Sequence, residues 1–169
     1  MNRQLANLLG ATGLTIADRL TETARTVLER GGETPAALVV IGHGSGLSND
    51  ELRRILRLSH PGTVRLLDRL VSDGLVERHE GEDRRANALF LTRRGHLVRE
   101  RLLKDRLDAI APLMAPLTER EQQRLTKLLQ KMLSGLDTTQ SDRRTLCRLC
   151  DCRVCADCPI PSNEARTDA

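Results

Sequence analysis

The 169 residues carry 27 basic against 23 acidic side chains, a net charge of +4 and a pI of about 9.1, an excess too mild to name a partner on its own. No apolar run approaches the roughly 18 residues that a membrane span needs, and the N-terminal MNRQLANLLG lacks an apolar signal core, so a cytoplasmic protein with no membrane partner is expected. With no Trp, no Tyr and a single Phe, Phe90, the chain has no aromatic platforms on which single-stranded bases would stack.

Residues 3–30 place apolar side chains at 5, 8, 9, 16, 20, 24, 27 and 28, mainly at i, i+3, i+4 spacing, which predicts a long amphipathic helix ended by Gly31-Gly32. Thr34-Pro35 reads as an N-cap followed by proline at the first helical position, opening a short apolar helix that runs to about His43. Ser48-Asn49-Asp50-Glu51 is a capping box for a helix over 49–57 that buries Leu52, Ile55 and Leu56. Ser59 caps the next helix, over 60–73, with Pro61 in its first turn, Thr63, Leu67, Leu70 and Val71 as its buried stripe, and Asp73-Gly74 as its stop. Two helices joined this tightly make a helix-turn-helix candidate.

LVERHE (75–80), the polar GEDR (81–84) and RANALFL (85–91) predict a two-stranded hairpin with a charged tip. Thr92 caps a long helix with Leu103, Leu107 and Ile110 on one side, bent or ended by Pro112 and Pro116. Thr118-Glu119-Arg120-Glu121 is a second capping box, followed by Leu125, Leu128, Leu129, Met132, Leu133 and Leu136 at helical spacing. Beyond Asp137 the chain turns polar around the cluster CRLCDCRVCADCP. The predicted fold is mainly α with a small β-hairpin. It divides into an N-terminal dimerisation helix (1–32), a winged helix-turn-helix (33–91), C-terminal dimerisation helices (92–137) and a cysteine-rich tail (138–169).

Helix, turn, helix and basic-tipped hairpin, in that order, describe a winged helix. The stretch ELRRILRLSHPGTVRLLDRLVSDGLVERHEGEDRRANALFLTRRG resembles the multiple antibiotic resistance regulator (MarR) family, most specifically in RLLDRLVSDGLVER, the wing EDRR and the LTRRG that opens the next helix. The likeness extends over roughly residues 5 to 136. It implies a winged helix-turn-helix flanked by long dimerisation helices, in a homodimeric DNA-binding transcription regulator. Such a protein is often a repressor released by a small molecule, a metal or an oxidant.

In a helix-turn-helix the second helix enters the major groove by its N-terminal end. The face opposite the apolar stripe presents Ser59, His60, Pro61, Gly62, Val64, Arg65 and Arg69. Ser59 and the free backbone N–H groups suit a phosphate, Gly62 allows close backbone approach, and Arg65 is the candidate for bidentate pairing with guanine. In the wing, Arg84 and Arg85 are placed to reach a minor groove. The resemblance gives Asp83 the role of orienting the wing by pairing with a nearby arginine. Arg53, Arg54 and Arg57 would add phosphate contacts. From 53 to 101 the chain has twelve Arg against seven Asp or Glu, so the basic excess lies in the proposed reading section. The partner would be double-stranded DNA with a pseudo-palindromic operator, read by two heads about 10 base pairs apart whose spacing a signal alters through the dimer interface. Family members with a hydroxyl residue at the positions of Gly62 or Val64 differ from this chain, which leaves the operator sequence open.

All five cysteines, Cys147, Cys150, Cys152, Cys155 and Cys158, fall within twelve residues. In a reducing cytoplasm such clustering points to metal or redox chemistry. Cys147, Cys150, Cys155 and Cys158 form two C-x2-C pairs that could hold one zinc. Cys152, Cys155 and Cys158 with Pro159 resemble part of the bacterial ferredoxin run and would need Cys147 or Cys150 to complete an iron–sulfur cluster. Either scheme leaves a spare thiol, and metal-free redox thiols are the third reading. No catalytic constellation stands out, so no enzyme is expected. The alternative is a metal- or electron-carrying protein with the tail as its functional site. His43, His79 and His96 read as ordinary polar residues.

Overall fold

The computed structural model describes residues 2–28, 31–44, 46–80, 87–136, 140–155 and 157–161. Its helices and strands follow in the order α1 (Arg3–Leu28), α2 (Thr34–Ile41), β1 (Leu47–Ser48), α3 (Asn49–Leu56), α4 (His60–Ser72), β2 (Val76–Glu80), β3 (Asn87–Leu91), α5 (Arg93–Met114), α6 (Glu119–Ser134) and α7 (Gln140–Leu146). No helix among these residues is long and apolar enough to cross a membrane.

The core lies under the helix-turn-helix. Helix α2 is apolar on every side and buries all of its residues, so it serves as the central pin on which the other elements pack. Around it gather Leu52, Ile55 and Leu56 of α3, Leu66, Leu67 and Leu70 of α4, Leu75 of the turn after α4, and Val76, Leu89 and Leu91 of the sheet, with Leu102 of α5. Thr34 is not the cap of α2. Glu33 holds that position with no side-chain hydrogen bond, and Thr34 sits inside at 2% exposure, since the apolar surroundings outweigh one capping bond. The stripe of α4 also differs from expectation by one position: Leu66 is buried, whereas Val71 is 38% exposed.

Local chemistry sets the turn of the motif. The Ser48 side chain accepts from the Glu51 N–H at 3.2 Å, and Glu51 accepts from the Ser48 N–H at 3.0 Å, a complete capping box. Helix α3 ends at Arg57 in the left-handed region (φ 53°), with the Leu58 N–H reaching back to the Arg53 carbonyl. Ser59 then caps α4 through the Gly62 N–H at 3.2 Å. At the far end Gly74 (φ 67°) permits the same closing geometry, Leu75 N–H to the Leu70 carbonyl at 2.9 Å.

The expected two-stranded hairpin is a three-stranded antiparallel sheet of order β1-β3-β2. Its register pairs Val76 with Leu91 and Arg78 with Leu89 across β2 and β3, and Leu47 with Leu89 across β1 and β3. The junction into α5 is tight: Thr92 Oγ1 donates to the Gly74 carbonyl at 2.7 Å, and a Cβ on Gly95 would collide with the Leu75 carbonyl. Pro112 lies inside α5, which runs on to Met114 and is not ended by it. Helix α1 packs along α5, and Arg19 Nη1 donates to the Ala109 carbonyl at 3.1 Å. The tail is not an appendage: α7 packs on α3, Leu149 packs against the core, and Ile160 is only 8% exposed.

Candidate nucleic-acid interface

Because Thr63, Leu66, Leu67 and Leu70 face inward, the opposite side of α4 faces solvent. Ser59, His60, Pro61, Val64, Arg65 and Arg69 are exposed there, with Gly62 half-buried between them. Thr63 is anchored from within, its hydroxyl donating to the Ser59 carbonyl at 3.1 Å. Seven of the residues singled out in the sequence are thus brought together on one helix and its N-cap, from Ser59 to Arg69. Arg65 and Arg69 make no ion pair among the described residues, so both guanidiniums remain available to an anionic partner.

Arg53 and Arg54 sit on the neighbouring helix and share one acid. Arg53 meets Asp50 Oδ1 at 2.9 Å and Arg54 Nε meets Asp50 Oδ2 at 3.2 Å. The Arg53 hydrogen bond, ahead of the other charges, holds the Asp50 carboxyl below its usual range. A phosphate would have to share these arginines with Asp50. The capping carboxyl of Glu51 is likewise lowered, first by the Ser48 backbone N–H and then by its hydroxyl.

Asp83, Arg84 and Arg85 lie outside the described residues. The base of the wing does show one tie to α4 that sequence reading missed: Arg78 of β2 donates to Asp68 at 2.7 Å. Only the chain reversal at Gly74 brings these two residues together. On the same strand His79 meets Glu77 at 3.0 Å and packs edge-on against Phe90.

A second polar centre lies behind the reading face. His43, read from sequence as ordinary, joins three parts of the fold. Its Nε2 lies 3.0 Å from the Cys150 carbonyl, while Nδ1 lies 3.2 Å from Arg99 Nη2 and 3.5 Å from Cys152 Sγ. These partners assign one tautomer: Nε2–H donates to the carbonyl, and Nδ1 accepts from Arg99 and from the thiol. Burial, followed by the Arg99 charge, lowers the His43 pKa. Arg99 itself is buried and also meets Glu100 at 3.0 Å.

Cys147 and Cys150 are half-buried; Cys152, Cys155 and Cys158 are exposed, and all five are free thiols. Among the described residues no three His, Cys, Asp or Glu side chains stand in an arrangement that could hold a metal ion.

A cavity of about 310 Å³ opens between α1, α2, α5 and the tail, walled by Leu20, Ala24, Val39 and Leu103, with Arg106 and Arg148 beside them. The Arg106 Nε is buried there and has no hydrogen-bond partner among the described residues.

The model of the MarR family matches residues 33–86. The transcriptional repressor MprA of Escherichia coli is 32% identical over 93 residues, covering 54% of this chain and 53% of MprA, so the chain spans about half the length of that relative in the match. The HTH-type transcriptional repressor MdtR of Bacillus subtilis is 30% identical over 118 residues, covering 67% of this chain and 76% of MdtR. Among solved structures, a cysteine-to-serine mutant of MarR from E. coli superposes with a TM-score of 0.67 at 28% identity, covering 76% of this chain and 96% of that one. The same mutant complexed with operator DNA gives 0.58 at 28% identity, covering 78% and 94%.

Proposed function

The chain belongs to the MarR family, and from that premise we propose that it is a sequence-specific DNA-binding transcription regulator, acting as a homodimeric repressor whose hold on DNA a small molecule or an oxidant relieves. The observation that carries the reading is the outer face of α4. Its inner side is locked into the core while Ser59, His60, Val64, Arg65 and Arg69 stand exposed beside the base of a wing, the arrangement that enters a major groove. The operator complex of the E. coli relative supports the same use of this fold.

The second copy is supported by the flanking helices. Helices α1 and α6 bury none of their residues, and Leu8, Leu14, Leu128 and Met132 are each at least half exposed. Exposed leucines at helical spacing on both flanking helices suit another copy of the same surface. The 310 Å³ cavity is the seat we assign to the effector, a small apolar molecule with an anionic group that would give the buried Arg106 Nε its missing acceptor. No catalytic step belongs to this reading.

The test is selection of duplexes from a randomised pool by the purified protein, followed by titration of Arg65→Ala. The variant should lose about 1–3 kcal/mol of binding and relax its preference at one base pair in each half-site. Equal affinity and equal preference for the variant and the parent would contradict the reading.

A further inference from the structure

The outer face of α4 is divided lengthwise into two rows. Gly62, Arg65 and Arg69, at i, i+3 and i+7, make a basic row. His60, Val64 and Asp68, at successive i+4 steps, make a second row with no Arg or Lys. Pro61 lies between the rows, one turn before both Val64 and Arg65. In the first turns of the helix, therefore, an apolar pair, Pro61 and Val64, stands exposed beside the Arg65 guanidinium.

The packing of the head does not account for Val64. Its neighbour Thr63 is 2% exposed, whereas Val64 is 38% exposed and takes no part in the core among the described residues. A β-branched residue on the solvent side of a helix lowers helix propensity and gains no burial in return. The row also offers no cation to a phosphate. Arg78 of β2, which reaches it, is engaged by Asp68 at 2.7 Å, and the Asp68 carboxylate itself repels the backbone of a nucleic acid. Base edges in the major groove present hydrogen-bond donors and acceptors, which an isopropyl group cannot use. They also present one apolar group, the 5-methyl of thymine, which it can. Neither Pro61 nor Gly62 carries a long side chain, so the first turn can approach the groove floor closely enough for a short residue to reach it.

We propose that Val64, backed by Pro61, is a specificity-determining residue that packs against the 5-methyl group of a thymine. That thymine lies in the base step beside the guanine assigned to Arg65, because Val64 and Arg65 diverge by about 100° on either side of Pro61. The inference rests on the DNA-reading role proposed above and adds to it a base identity in each half-site. The row of Arg65 and Arg69 supplies charge and hydrogen bonds; the row of Val64 supplies a contact that only a methylated pyrimidine can complete.

The test uses the full chain and its selected duplex, with each thymine replaced in turn by deoxyuridine. This removes the methyl and leaves every hydrogen-bonding edge in place. Binding by the parent should fall about fourfold at one thymine in each half-site, beside the guanine whose preference Arg65→Ala relaxes. Val64→Ala should bind the thymine and uracil duplexes equally at that position, while Val64→Ile keeps the discrimination. Cytosine there should bind more weakly than thymine, and 5-methylcytosine should recover about fourfold in the parent but nothing in Val64→Ala. The proposal is overturned by a selected half-site with no thymine beside that guanine, by a thymine there that is indifferent to loss of its methyl, or by the same loss in Val64→Ala as in the parent. Each of these outcomes leaves DNA reading intact. If no duplex is selected, or if Arg65→Ala selects as the parent does, the regulatory reading fails and the inference falls with it.

Discussion

Helix α2 buries every one of its 8 residues, whereas α6 buries none of its 16, although both are rich in apolar side chains. In the head, Leu38, Leu52, Leu67, Leu70 and Leu89 are fully enclosed by one another. In the flanking helices, Leu128 is 60% and Leu14 is 70% exposed. The head closes on itself and keeps a polar, arginine-bearing face outward. The flanks close only against something else. Folding of the head is thus a property of a single chain, while the exposed leucines of the flanks are what the proposed homodimer would cover.

The most damaging way to break this contrast is to charge the open face. Leu128→Asp with Met132→Asp should lower the particle mass in light scattering from twice 18.8 kDa to 18.8 kDa and abolish tight operator binding, leaving the helical circular dichroism of the head. In the head, Leu67→Ala removes a fully buried side chain and should cost about 2–5 kcal/mol in urea unfolding, with the chain still dimeric when folded. Gly95→Ala, by forcing a Cβ onto the Leu75 carbonyl, should cost about 1–3 kcal/mol by the same assay.

A pH effect sharpens the boundary between head and tail. His43 is held neutral by burial and by Arg99, with its pKa below the ordinary 6.5. The unfolded chain therefore takes up the proton first: stability is complete above pH 6.5 and is lost as the pH falls below it. Thermal unfolding followed from about pH 7.5 to about pH 5.5 should show this decline, and His43→Gln should flatten it. The smallest effect belongs to the exposed Arg78–Asp68 pair. Arg78→Ala should leave stability within about 1 kcal/mol while measurably loosening the wing in hydrogen exchange of β2.

Features set by near neighbours in the chain were legible. The Ser48–Glu51 and Thr118–Glu121 capping boxes, the Ser59 cap and the Gly74 stop each depend on residues within five positions, and all are formed. What distance in the chain decides was not. Strand β1 is only two residues long, too short for any alternation, and exists because β3 offers it an edge. Helix α7 is polar and is held by Glu51 and Ile55, about 90 residues away. His43 gains its role from partners 56, 107 and 109 positions off. Glu33 rather than Thr34 caps α2, and Leu66 rather than Val71 completes the stripe of α4, because the fit of the whole core outranks a single capping bond or one step of helical phase. The exposed face of α4 was legible because an amphipathic helix with a well-marked buried side leaves only one side to solvent. The wing tip, with Asp83, Arg84 and Arg85, lies outside the described residues.

Hydroxyl-radical footprinting of a selected duplex bound by the full chain tests the central claim most directly. Two heads joined through α1 and α6 should protect two windows related by a two-fold axis, centred about 10 base pairs apart. A single window bound by a monomer, or protection without symmetry, would contradict the account.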